Sequence, residues 1–146
     1  ILVWRGYFSD LDISKREQRP LFFILLFLYA FLFLASLILL KGPIVLYIGL
    51  FGIFLSIFIF SFINTRLKAS IHVGSISALI FAFSFLYGGA FLLLLILIPL
   101  VGWSRVRIKR HTKKEAITGG IIGVVLTIAM YIFFKLVLGI SISGNV

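Results

Sequence analysis

The chain has 146 residues, of which 62% are hydrophobic and 12% charged, and its net charge is +10. Soluble domains run nearer half apolar and a quarter charged, so this composition excludes a water-soluble globular protein and implies an all-α integral membrane bundle. Cysteine is absent, which excludes disulfides, thiolate metal sites and cysteine nucleophiles, and two histidines with four acids form no obvious metal cluster.

Residues 1–20 are the most polar part of the chain. Asp10, Asp12, Lys15, Arg16, Glu17 and Arg19 mix both signs there, and the acids read as solvated partners of their basic neighbours. The chain opens on "ILVW" and not on Met, so further residues are expected upstream, and with them a sixth span. The first apolar run begins only after twenty residues and is too long for the core of a signal peptide. Pro20 stands at its entrance, where a missing N–H costs least.

Leu21 to Leu40 carries no charge, which is long enough to cross a hydrocarbon core. Lys41 to Pro43 makes a turn, and Ile44 to Ile63 makes a second uncharged span. A short polar connection, "NTRLKAS", leads to a third span from about Ile71 to Tyr87. Ala90 to Trp103 forms a shorter fourth span interrupted by Pro99. A basic connection follows, and a fifth span runs from about Ala116 to Leu138, before a tail expected to fray. Within the fifth span, "GGIIG" (Gly119 to Gly123) has the spacing that lets helices approach closely. Trp103 fits an interfacial belt at the end of the fourth span. All 146 residues read as one transmembrane domain.

Five spans place the connections alternately on two faces. One face receives twelve of the fourteen Lys and Arg residues; the other receives Lys41 and Lys135. The positive-inside bias makes the basic face cytoplasmic, in a cell membrane. Basic clusters beside apolar spans read as headgroup contacts and not as nucleic-acid footprints. Both histidines, His72 and His111, fall at span ends on this same face.

The connection "SRVRIKRHTKKE" holds the densest polar chemistry. Glu115 follows His111 by four residues, so on a helix it lies one turn on. A carboxylate there accepts the far imidazole N–H, sets the tautomer and raises the basicity of the near nitrogen. Arg105 offers a planar fork for a pair of phosphate oxygens. Arg107, Lys109, Arg110, Lys113 and Lys114 read instead as the topological anchor. Ser70 suits the N-cap of the third helix as well as a phosphate contact.

These residues resemble the type 2 phosphatidic acid phosphatase superfamily. Ser104, Arg105 and His111 match its third motif, a Ser-Arg pair followed after five residues by His. Ser70 and His72 stand where its second motif has Ser and His, and Arg19 with Pro20 ends its first motif. The sequence departs from the pattern at Asp12 (a lysine there), Ala69 (a proline), Ile71 (a glycine) and Glu115 (an aspartate). The resemblance implies a phosphohistidine mechanism without a metal or cofactor, acting on a lipid phosphate or diphosphate. In it His111 is the nucleophile, oriented by Glu115. His72 is the acid for the leaving group and then the base for water. Arg105, Arg19, Ser70, Lys68 and Ser104 surround the phosphate, with Lys68 or Lys15 standing in for the missing lysine. Two other readings are a relative that binds anionic lipid or a partner without turnover, and a small transporter or channel. No charged residue lies mid-span, where an ion pathway leaves one.

Overall fold

The computed structural model describes Gly6, Tyr7, Ser9, residues 15–137 and Gly139. Asp10, Asp12 and the tail from Ser141 to Val146 lie outside the described residues. The described residues form helices and no strand: α1 (Arg19–Leu39), α2 (Ile44–Asn64), α3 (Ile71–Tyr87), α4 (Leu97–Arg107) and α5 (Lys113–Ile132). A backbone without water must satisfy its amides internally, and helices do this within one segment. Four helical stretches among the described residues are long and apolar enough to cross a membrane; α3, at 17 residues, is a shorter apolar helix outside those four. The boundaries of the first three helices agree with the sequence reading to within two residues.

The fourth span differs. It begins as a 3-10 helix over Gly89–Ile96 and becomes α-helical only at Leu97, two residues before Pro99. Proline is tolerated in a first helical turn, because the N–H it lacks has no partner there. The more extended 3-10 rise lengthens the span, and the helix then runs four residues past Trp103. Ser104 and Arg105 therefore belong to the last turn of α4 and not to the connection. At the other end, α5 continues into a π-helical turn over Phe133–Val137.

The chain divides into two compact units, Ile1–Phe62 and Ile63–Val146. In the first, a 3-10 turn at Arg16–Gln18 leads into α1, and the Gln18 side chain accepts hydrogen bonds from the backbone N–H and hydroxyl of Ser9. The turn to α2 places Lys41 in the left-handed region at φ 51°. Tyr47 then donates its hydroxyl to the Leu37 carbonyl at 2.8 Å, and Phe27 stacks on Phe54.

The second unit is organised by α3 and α5, which run parallel. Their contact is made by small residues four apart. A Cβ on Gly119 would collide with the Ser70 carbonyl oxygen, and one on Gly123 with that of Gly74. Thr127 continues the stripe, with its hydroxyl 2.9 Å from the Gly123 carbonyl and 3.5 Å from that of Ala78. Tyr131 ends it by stacking on Phe85, ring centroids 4.3 Å apart. The "GGIIG" segment thus does what its spacing predicts: without side chains in the way, the two backbones touch.

Gly123→Ala should therefore push the two backbones apart and destabilise the protein by about 1–3 kcal/mol, the usual range for overpacking. Gly49→Ala, in α2, meets nothing within 4 Å and should be neutral. Thermal unfolding of the two variants in detergent checks the contrast.

Candidate functional site

The polar groups at the start of α3 and α5 are assembled by two short connections, 65–70 and 108–112. The α4–α5 connection is folded by its own backbone. Ile108 N–H donates to the Ser104 carbonyl at 3.0 Å, and Lys109 N–H to that of Val106 at 3.0 Å. Lys109 takes a left-handed conformation, φ 57°, as residues do where a helix is closed off. The next two amides, of Arg110 and His111, both return to the Arg105 carbonyl, at 3.1 and 3.2 Å. The six-residue spacing from Arg105 to His111 is thereby closed into a loop over the last turn of α4.

Thr112 then starts α5. Its backbone is extended, its hydroxyl accepts the Glu115 N–H at 3.2 Å, and the Glu115 carboxylate accepts the Thr112 N–H at 3.1 Å. This reciprocal pair is a capping box, and it satisfies two amides that would otherwise lack partners. The same carboxylate oxygen lies 3.0 Å from Nδ1 of His111. One oxygen of Glu115 thus holds both the helix start and the imidazole.

A second acceptor, the Lys68 carbonyl, lies 3.2 Å from the same Nδ1. A nitrogen between two acceptors carries the proton, so the geometry assigns the neutral ring as Nδ1–H. Nε2 is left with its lone pair. Only 12% of the His111 side chain is exposed. Burial lowers its pKa below the ordinary 6.5 and outweighs the opposing pull of Glu115; the Lys68 ammonium adds to the lowering. At neutral pH the ring is a base and not a cation.

Lys68 is tied in twice. Its carbonyl faces His111, and its ammonium donates to the Arg110 carbonyl at 2.9 Å. Ser70, two residues on, donates its N–H to the Glu115 carbonyl at 3.0 Å. Ser70 stands at the N-cap of α3 in an extended conformation, but its side chain makes no capping bond. Its hydroxyl is fully buried and has no hydrogen-bond partner among the described residues. This corrects the expectation of a serine cap.

The structure thus brings Lys68, Ser70, Arg105, His111 and Glu115 into one connected cluster, with Ser104 and Arg105 half-buried in the turn of α4 beneath it. His72 is placed differently. It lies about 200° around α3 from Ser70, on an exposed face away from the stripe that meets α5. Arg19 lies in the other unit, as the first residue of α1. Among the described residues no three His, Asp or Glu side chains gather as metal ligands would. Two contacts that hold the cluster were not singled out in the sequence. Thr112 was legible as the start of a Thr-x-x-Glu pattern. The Lys68 carbonyl was not, because a backbone acceptor leaves no mark on residue identity.

No family model matches the chain, and neither a curated protein nor a solved structure does.

The lowered pKa of His111 has a stability consequence. The unfolded ring takes up its proton near pH 6.5, and the folded ring does so only at lower pH. The stabilisation is therefore complete above pH 6.5 and lost as pH falls through the folded value. Melting curves between pH 7.5 and 5 should show this loss, and His111→Gln should flatten it. Nitrogen NMR of the ring at pH 7.5 should show the Nδ1–H tautomer.

Proposed function

We propose that the protein hydrolyses a phosphate monoester or diphosphate carried by a lipid, with His111 as the nucleophile. The observation that carries this reading is the fixed imidazole. Glu115 and the Lys68 carbonyl together hold Nδ1–H, which leaves the lone pair on Nε2. A neutral, oriented imidazole next to clustered cations is the arrangement that attack on phosphorus needs. In the proposed step Nε2 displaces the lipid alkoxide or phosphate from phosphorus. Water then attacks the phosphohistidine, releasing phosphate and restoring the free ring.

The resemblance to the type 2 phosphatidic acid phosphatase superfamily supports the same reading. Arg105 is its phosphate fork in this proposal, and Glu115 replaces the family's aspartate while also closing the helix. The roles of His72 as acid and base and of Arg19 as a phosphate contact rest on that resemblance alone. The lipid tail stays in the bilayer, which suits the span-end position of the cluster. We propose further that the basic boundary faces the cytoplasm of a cell membrane, from the distribution of Lys and Arg.

One observation favours a second reading, a site that binds lipid phosphate without turnover. The Ser70 hydroxyl is fully buried and the Lys68 ammonium is already committed to the Arg110 carbonyl, so two of the contacts that turnover would need at the transition state are engaged or covered, while the exposed basic residues of the α4–α5 connection are left for binding.

The two are separated by phosphate release from phosphatidate and from a polyprenyl diphosphate in detergent. Hydrolysis should be abolished in His111→Ala and fall roughly 100-fold or more in Glu115→Gln, as loss of an orienting carboxylate does. Glu115→Asp should recover part of it. A folded wild-type protein that binds these lipids but releases no phosphate would establish the second reading.

A further inference from the structure

A cavity of about 620 Å³ lies within the second unit, between α4 and α5 and floored by α3. Its α4 wall includes Pro99 and Trp103, and its α5 wall includes Lys113, Ile117, Ile121 and Val125. Both walls are stripes of residues four apart, so each lies along one helix face. Trp103, Ile117, Ile121 and Val125 are all more than half exposed, and the cavity therefore opens sideways. Along α5 it extends from Lys113 to Val125, about 18 Å at a rise of about 1.5 Å per residue. That is close to one leaflet, half of a hydrocarbon core of about 30 Å.

Each stripe ends in a cation at the same end of the cavity. Lys113 tops the α5 stripe. One turn beyond Trp103, the α4 stripe reaches Arg107, which is exposed in the last turn of the helix. A groove of one-leaflet length that ends in two cations suits a single extended hydrocarbon chain carrying an anionic headgroup.

This face is distinct from the His111 cluster. Glu115, Gly119 and Gly123 form the stripe of α5 that meets α3, and Lys113 and Ile117 lie about 200° around the helix from Glu115. A lipid in the cavity would present its headgroup to Arg107 and Lys113 and not to Nε2 of His111.

We propose that this cavity is a binding site for a non-substrate anionic phospholipid, with one acyl chain along the α4–α5 groove and its phosphate between Arg107 and Lys113. The site stands apart from the proposed hydrolysis and does not depend on it. Binding here ties α4 to α5 at the boundary where the 108–112 connection holds His111.

Trp103 reports on the site directly. The chain has two tryptophans, so Trp4→Phe leaves Trp103 as the single fluorophore. That protein is placed in nanodiscs containing phosphatidylglycerol or phosphatidylcholine brominated high on the acyl chain. Phosphatidylglycerol is a phosphodiester, so phosphomonoester hydrolysis leaves it intact. Quenching should be half-maximal at about a fivefold lower mole fraction of the anionic lipid, the preference expected from cations at a membrane surface. Arg107→Gln with Lys113→Gln should bring that ratio close to one. Lys109→Gln with Lys114→Gln removes the same charge off the stripes and should leave most of it, as should His111→Ala. Equal quenching by the two lipids in the parent protein would overturn the proposal. So would an equal loss in the two double variants, which would mean diffuse attraction to the whole basic connection. Failure of both brominated lipids to quench would also overturn it, by showing that protein covers the groove.

Discussion

The contact of the α3 and α5 backbones at Gly119 and Gly123 is the constraint on which the second unit depends. Lipid tails are as apolar as leucine, so helices in a bilayer gain little from burying hydrophobic side chains against one another. They associate where close packing is possible. Here the absence of two Cβ atoms lets α5 meet the carbonyls of Ser70 and Gly74. The same register sets the Ser70 N–H on the Glu115 carbonyl and brings the 65–70 connection up to the start of α5. The stripe that packs is also the stripe that carries Glu115. Packing and site are consequences of one helix face.

Glu115 links that packing to the proposed chemistry. Its carboxylate oxygen closes the capping box with Thr112 and accepts Nδ1–H from His111. An aspartate at this position would have a shorter reach. The longer side chain spans from the third residue of the helix back past its cap. The imidazole is further held by a carbonyl from another connection, and its surroundings exclude enough water to keep it neutral. Lys68 supplies that carbonyl, and its ammonium fastens the Arg110 backbone opposite.

The faces of α5 divide the labour. One face, through Gly119 and Gly123, is committed to α3. The opposite side, through Lys113, Ile117 and Ile121, is turned outward along the cavity shared with α4. The basic residues of the 104–114 region divide with it. The Arg105 backbone braces the His111 loop, while Arg107 and Lys113 top the two walls of the groove. Basic residues that are neighbours in sequence thus take separate positions in three dimensions.

The sequence by itself determined the all-helical membrane character and the first three helices, because long uncharged runs leave the backbone no other way to satisfy its amides. It also marked the glycine stripe, which follows from four-residue helical spacing, and the His111–Glu115 pair, although His111 lies just before the helix and meets the carboxylate that closes the capping box. The rest was decided by tertiary structure. The end of α4 at Arg107 was not legible, because the apolar run stops at Trp103 while the helix continues for four more residues, up to the turn closed by the left-handed Lys109. The burial of Ser70 and the Lys68 carbonyl at His111 depend on residues more than forty positions apart. The exposed placement of His72 depends on which side of α3 faces its neighbour. Hydropathy is nearly uniform around these helices, so the sequence holds no record of which face packs; only the contact of one backbone against another makes that choice.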